Sequence, residues 1–473
     1  MSQLSLYLQA NTFCILLEYL TSLTENFAVK SLLAGYPTVM TLADRVHSDE
    51  DMPPLKASLS CPESIDKVIH YSGKNRDIND FKMFLDQAAT LNIENLLLLT
   101  GDKLKKHCDG NNGLPRTRYL ESVNAVSVAK QYGIFNLGVA FNPFKYAEAE
   151  RDAQYLKLQK KLKAGADFIV AQVGYDMDAL KQAKAFLKNH HYTQKILACI
   201  MPLGFARASF IVKHQIAGIV ITTHMLKVLA DEKQAGITEN IYKRCALQIL
   251  MCQHIGFAGI HLSACHKPDE QMLIEFHIEQ YQHLNLDELE SIWNSLWSVS
   301  HGKEFVPECT LYSQQPTSKQ LMKYHQLNFI HGALFDSQLA QGIGRFIFKK
   351  AFWQNTFATK ALLKVEYFSK HSIVGCESCG QCRLGETLYI CPETCPKGLA
   401  NGPCGGTSLD RCEFGDRECI HSVKARLAKA VGQADVLKEK LIPTIPIEVR
   451  GTSSWKNWYL DIEALASSSI VLE

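Results

Sequence analysis

The stretch NLGVAFNPFKYAEAERDAQYLKLQKKLKAGADFIVAQV, residues 136–173, contains one complete unit of chain organisation. A short apolar run, NLGVAFN (136–142), is followed by a charged segment in which Leu156, Leu158 and Leu162 recur at helical spacing among lysines. That segment ends on Gly165, where a helix stop is expected, and a second apolar run, DFIVAQV (167–173), follows at once. The order strand, helix, strand sets the pattern for what lies on either side.

Towards the N-terminus the runs are FCILLEY (13–19), TVMTL (38–42), KASLSC (56–61) and NLLLLTGD (95–102). Towards the C-terminus they are KILACIMP (195–202) and FAGIHLSAC (257–265). Eight strands, each followed by a helical pattern, predict an α/β chain built on a (β/α)8 barrel. A doubly wound open sheet is the rival, and it is weakened by the absence of a glycine-rich turn after the first strand. The barrel is assigned to residues 1–280. A helical connector with LDELESIWNSLWSV and SQLAQGIGRFIFKKAFW takes 281–370, and a small C-terminal domain takes 371–473, with a helix expected over 422–441.

With 473 residues and 47% hydrophobic content the chain can fill a substantial core. Its 50 basic and 48 acidic residues leave a formal charge of +2, which gives no footprint for nucleic acid or an anionic membrane. No segment offers about 18 uninterrupted apolar residues and the N-terminus has no basic leader, so a cytoplasmic protein without a membrane partner is expected.

In a reducing compartment, cysteines point to metal or catalytic use rather than disulfides. Eight of the 16 cysteines fall between Cys376 and Cys419: Cys376, Cys379, Cys382, Cys391, Cys395, Cys404, Cys412 and Cys419. The segment is rich in glycine and proline and too poor in apolar residues to build a core, so metal is expected to hold it. Eight thiolates suffice for two four-cysteine sites. The Cys-x2-Cys-x2-Cys run with later Cys-Pro dipeptides suits a [4Fe-4S] cluster, and tetrahedral zinc explains the same ligands. The other eight, Cys14, Cys61, Cys108, Cys199, Cys245, Cys252, Cys265 and Cys309, read as small buried hydrophobes.

In a barrel of this kind the chemistry lies at the C-terminal strand ends. The polar residues there are Glu18, Thr41, Asp102, Asn142, Gln172 and Asp176. A carboxylate directly after an apolar strand is a candidate general acid, because partial burial raises its pKa; the bland readings are a helix cap for Asp102 or Asp176 and a strand end for Glu18.

The order of these pieces resembles the methylenetetrahydrofolate reductase family. EYLTSL at Glu18, TVMT, NLLLLTGD, GVAFNP, LKAGADFIVAQVGYD, ACIMPL and GFAGIHLSAC follow the family's motifs across about residues 13–265. The segment with CGQC, CPKGLANGPCGG and SSWKNWYL is similar to the C-terminal domain associated with such reductases, a metal-carrying small subunit here fused behind the barrel. The resemblance implies that Glu18 protonates N10 of the folate, Asp102 contacts the pterin, Gln172 contacts folate and Thr41 lies beside FAD, which NAD(P)H reduces. It also implies a reduced folate as ligand, an electron-donor or reductase partner protein, and a homo-oligomer. The family's "HLTC" reads SLSC, with Ser58 for the histidine; Thr100 replaces the arginine of "LRGD"; Asn142 and Tyr146 replace a tyrosine and a histidine that cradle the cofactor. "TYGA" reads TLAD from Thr41, and the aromatic run before the aspartate reads Val173, Gly174, Tyr175. These departures keep two alternatives open: a tetrahydrofolate-dependent one-carbon transferase or demethylase, and a non-catalytic electron-transfer or scaffold subunit.

Overall fold

A computed structural model describes residues 1–19, 31–45, 51–103, 119–300, 302–307, 312–460 and 470–471. Eight parallel strands close on themselves: β1 (Cys14–Tyr19), β2 (Tyr36–Leu42), β3 (Lys67–Ser72), β4 (Asn95–Leu99), β5 (Asn136–Phe141), β6 (Phe168–Val173), β7 (Lys195–Ile200) and β8 (Gly259–Leu262). Each strand pairs with its sequence neighbours, and β1 pairs with both β2 and β8, so no edge is left open. Near-continuous apolar strands such as NLLLL and FIVAQV are what a sheet covered on both faces requires. The first helix, Gln3–Gln9, is tied to the N-terminal strand ends: the Ser2 hydroxyl donates to Asn95 Oδ1 at 2.6 Å and the Leu4 amide to Asp66 Oδ2 at 2.8 Å. The opposite, C-terminal end is the one left for chemistry.

Seven of the eight expected strands form where the apolar runs place them. KASLSC does not: Pro53 and Pro54 start a short helix, Pro54–Ser58, and the third strand is KVIHYS, whose His70 and Tyr71 disguise it among apolar runs. Ser58 therefore does not replace a cofactor-facing histidine. It is buried on that helix with its hydroxyl donating to Leu55 O at 2.7 Å, and a histidine, His70, occupies the third strand.

The chain divides into two compact units. One comprises residues 1–102, 125–146 and 165–309 and holds all eight strands; the other comprises 103–124, 147–164 and 310–473. In the second, helices Ser318–His331, Gln338–Phe348 and Thr356–Val374 precede the cysteine segment. SSWKNWYL is anchored on the last of these, because the Ser453 hydroxyl donates to buried Glu366 at 2.7 Å and Ser454 bonds its other carboxylate oxygen. The helix expected over 422–441 is two, Ile420–Ala430 and Val436–Glu439, broken where Gly432 takes φ +69°. Of the scattered cysteines, Cys14, Cys61, Cys199, Cys245, Cys252 and Cys265 are buried; Cys108 and Cys309 lie outside the described residues.

Candidate functional site

Glu18 is the fifth of six residues in β1, opposite Thr41 of β2 in register. Its Oε2 accepts from the Ala264 amide at 2.8 Å and the Ser263 hydroxyl at 2.9 Å, with His266 Nε2 at 3.8 Å. Among the described residues its Oε1 accepts nothing. Ala264 takes φ +53°, a left-handed conformation that costs a non-glycine residue about 1 kcal/mol or more. That strain aims its amide at the carboxylate. One oxygen is thus fixed and the other left for a ligand.

Beneath the rim the barrel interior holds two histidines, with ring centroids 5.9 Å apart. His261 of β8 is hydrogen-bonded on both sides, to Thr41 Oγ1 at 3.0 Å and Cys199 Sγ at 3.3 Å. Burial pushes its pKa down, against the pull of Glu18. His70 is held down to about 3 by burial and by His261, and its Nε2 is buried without a hydrogen-bond partner. Both rings are therefore neutral at neutral pH. A buried imidazole nitrogen without a protein partner is open to a ligand atom or a water.

Gln172 sits where the β6–β7 register shifts between Val170 and Val173, a bulge of the kind that re-aims a side chain, and its Oε1 accepts from the Val173 amide at 2.9 Å. Thr100 and Asp102 follow β4 on either side of Gly101. That glycine has φ +91°, and a Cβ there would lie 2.3 Å from Ser72 Oγ, so this turn requires glycine. Asp102 is exposed.

Asn142 and Tyr146 spend groups on the protein itself. The Asn142 amide donates to Gly218 O at 2.9 Å while its Oδ1 accepts from Phe144 N at 3.0 Å; the Tyr146 hydroxyl donates to Asp176 at 3.1 Å. Asp176 caps the helix Met177–Asn189, accepting from the Asp178 and Ala179 amides. In TLAD, Asp44 accepts from the Ser72 amide at 2.8 Å and pairs with Arg76.

The structure brings the eight clustered cysteines into two neighbourhoods that follow chain order. Cys376, Cys379, Cys382 and Cys391 line one small cavity of about 20 Å³, together with Lys370, Arg383 and Ser454. That is room for an ion or a water and for nothing organic. Gly380, at φ +78° with the Val449 carbonyl 2.1 Å from where a Cβ would be, permits the turn between two of them. In the second neighbourhood Cys404, Cys412 and Cys419 each lie within electrostatic reach of Cys395, and Cys419 of Cys404 as well. Burial pushes the Cys379 thiol up to about 11 and the Cys404 thiol up to about 12, and both donate hydrogen bonds, to Gln381 O and to Glu413 at 3.2 Å each. Among the described residues no group of three or more His, Cys, Asp or Glu converges tightly enough to hold a metal ion. Four cysteine thiols, Cys379 and Cys391 buried and Cys376 and Cys382 half-buried, nonetheless line one ion-sized void and are the ligand type a soft cation takes once they lose their protons.

Beside the second neighbourhood lies a buried cationic cluster that periodicity does not reveal. Lys157, Lys160 and Lys161 of helix Glu148–Lys163 and Lys424 of helix Ile420–Ala430 are all buried. Lys424 donates to Ala400 O at 2.8 Å, Lys157 to Gly402 O at 3.1 Å and Lys160 to Asn401 Oδ1 at 3.2 Å. Glu121, paired with Lys157 at 2.8 Å, accepts from the Ala400 and Asn401 amides at 3.1 Å each. The turn between Cys395 and Cys404 is thus pinned from both sides.

A closed (β/α)8 barrel with a braced carboxylate and neutral histidines at its C-terminal end has the make-up of an enzyme barrel. The methylenetetrahydrofolate reductase family profile matches residues 18–275, more than half of the chain, and the chain belongs to that family. A second profile, "Methylene-tetrahydrofolate reductase C terminal", matches residues 355–447. The fission yeast Schizosaccharomyces pombe protein "Methylenetetrahydrofolate reductase 1" is 27% identical over 201 residues, 41% of this chain and 32% of its own length. The Caenorhabditis elegans "Probable methylenetetrahydrofolate reductase (NADPH)" is 25% identical over 199 residues, 40% of this chain and 28% of its own. The chain thus spans about a third of these curated relatives. Among solved structures, an uncharacterized Clostridium thermocellum protein that binds two copies of 5-methyl-5,6,7,8-tetrahydrofolic acid aligns over 60% of this chain and 99% of its own, at 14% identity and a TM-score of 0.42.

Proposed function

We propose that this chain is a methylenetetrahydrofolate reductase-like oxidoreductase that converts 5,10-methylenetetrahydrofolate to 5-methyltetrahydrofolate. The observation that carries the reading is Glu18, within a barrel of that family. Its Oε2 is loaded by the Ala264 amide and the Ser263 hydroxyl, so the acidic proton resides on Oε1, the oxygen left open at the rim. Delivery of that proton to N10 lets the bond from N10 to the bridging carbon break, leaving the carbon on N5 as an iminium. Gln172 on its bulge and Asp102 beyond β4 are assigned to folate.

FAD, when bound, supplies the hydride for that carbon, with NAD(P)H as electron source. The fit is one-sided: His70 suits the flavin through its open Nε2, whereas Thr41, bonded to His261, and Asn142 and Tyr146 are committed to internal bonds and are reassigned to the scaffold. Thr100 stays a candidate cofactor contact at the end of β4.

The first thiol quartet, Cys376, Cys379, Cys382 and Cys391, and the second, Cys395, Cys404, Cys412 and Cys419, are assigned one metal centre each, the ion-sized void at the first fitting zinc and the second zinc or [4Fe-4S]. Their ordered partition favours a secondary role, reception of electrons from a partner protein, over the transferase alternative. The test is one anaerobic preparation on which flavin, iron and zinc are quantified and methyltetrahydrofolate oxidation by an artificial acceptor is assayed. Turnover with stoichiometric flavin is the expected result. A folded protein that neither binds a reduced folate nor oxidises methyltetrahydrofolate defeats the reading.

A further inference from the structure

Two helices of the second unit are turned inside out. In helix Gln338–Phe348 the positions Leu339, Ile343 and Phe346, spaced i, i+4, i+7 along one face, are all exposed, and Lys350 continues the row. In helix Thr356–Val374 the row Phe357, Ala361, Lys364, Phe368 repeats that spacing and is also exposed. The inner faces are filled: Gly344 lies against the Tyr459 ring, where a Cβ would approach to 2.2 Å, and Ala358 and Glu366 are buried. The outward rings are therefore not left over from an unfinished core.

Phe346, Phe352, Phe357 and Phe368 are 68%, 65%, 81% and 81% exposed. At the area a phenylalanine offers, together they present on the order of 500 Å² of apolar surface. Exposed apolar surface on that scale, rimmed by charged residues, marks an interaction site.

Charge decides what covers it. Between Asp336 and Glu377 the sequence has Arg345, Lys349, Lys350, Lys360, Lys364 and Lys370 against a single carboxylate, Glu366. Glu366 is buried and bonded to Ser453 and Lys370, so it presents no negative charge outward. Lys349, Lys350, Lys360 and Lys364 are exposed, and Lys350 lies over the Phe346 ring at 4.8 Å. A second copy would bring the same cations to the same face. A surface that is anionic outside and apolar beneath meets both features at once.

We propose that the exposed row of helix Gln338–Phe348, with the turn Ala351–Gln354 that follows it, docks on the headgroup layer of an anionic phospholipid bilayer, phenylalanines inward and lysines at the phosphates. No helix among the described residues is long and apolar enough to cross a membrane, so the contact is interfacial. It is independent of the folate reading.

The test is co-sedimentation of the full chain with vesicles of phosphatidylcholine and phosphatidylglycerol, against phosphatidylcholine alone, at low and high salt. Binding to the anionic vesicles only, weakened by salt, is expected. Lys349→Glu with Lys350→Glu should reduce it about tenfold or more, at roughly fivefold per surface cation. Phe346→Ser with Phe352→Ser should abolish it with the thermal melt unchanged, since both rings are exposed; should that pair fail to fold, the lysine pair still decides. Wild-type protein left in the supernatant of anionic vesicles overturns the proposal. So does a dimer in analytical ultracentrifugation that Phe346→Ser dissociates, which would make this face a self-interface.

Discussion

At the barrel rim the buried histidines are neutral, whereas the second unit buries a cluster of lysines. His70 and His261 have lost their charge to burial, and the carboxyl group beside them, Glu18, is half-buried with one oxygen open. In the second unit Lys157, Lys160, Lys161 and Lys424 are packed away around the buried carboxylate of Glu121, and every polar contact described for that carboxylate is internal. An open oxygen on a braced carboxylate is a device for moving a proton; a closed one among ammoniums and amides holds a turn in place. Mutations in the two regions should therefore fail in different measurements, the rim in rate and the second unit in stability.

Glu18→Gln sharpens this most. The amide keeps the size and can still accept from Ala264 and Ser263, but holds no transferable proton. Turnover should fall by about 10²–10⁴, with the urea midpoint nearly unmoved. Unchanged turnover would remove Glu18 as the acid, and a large loss of stability would make the rim structural.

Glu121→Gln should do the reverse. Burial alone would raise this carboxyl, but Lys157 and the Asn401 and Ala400 amides hold it below its ordinary value, so it is an anion in place. Removing that charge leaves Lys157 buried and uncompensated, for a loss of about 3–5 kcal/mol in unfolding free energy. Turnover per folded molecule should change little if the two regions are as distinct as the contrast requires.

The contrast was legible in the sequence on one side only. Glu18 follows CILL in an apolar run, and a strand of the family's barrel fixes where its side chain goes. Its partners were not legible: Ala264 acts through a backbone amide and a positive φ, and nothing in HLSAC announces either. His70 was hidden for a different reason. KVIHYS carries a lysine, a histidine and a serine in six residues, while KASLSC looks more apolar but begins after a Pro-Pro pair that favours helix entry. In YLKLQKKLKAG the leucines predict the helix correctly, yet Lys157 and Lys160 between them are as buried as Leu158 and Leu162, because Asn401 and Gly402 of a distant turn supply the oxygens that receive them. Local periodicity reports a helix and cannot report a distant acceptor. The whole-chain charge of +2 likewise averages away the cationic stretch between Ser337 and Gly375.

The smallest predicted effect tests the lysines directly. Burial, and for Lys160 the Lys424 cation after it, lowers the pKa of Lys160 to about 7; Lys161 is lowered to about 7 by burial and then Lys157. A lysine whose folded pKa lies below its unfolded value of 10.5 binds more protons unfolded than folded between those limits. Unfolding free energy must then rise with pH across that window, by at most about 1.4 kcal/mol per pH unit for each lysine. The buried thiols act in the opposite direction, but only as pH approaches their unfolded value of 9.0, so the interval from about pH 7 to 8.5 isolates the lysines. Urea unfolding across that interval should show stability increasing with pH, and Lys160→Met should flatten part of the slope while raising stability at its acidic end. A slope unchanged by Lys160→Met would mean that the ammonium stays charged where it is, with the carbonyls of the turn solvating it in full. The second unit would then tolerate its cations for the same reason that the rim excludes them: the number of acceptors within reach.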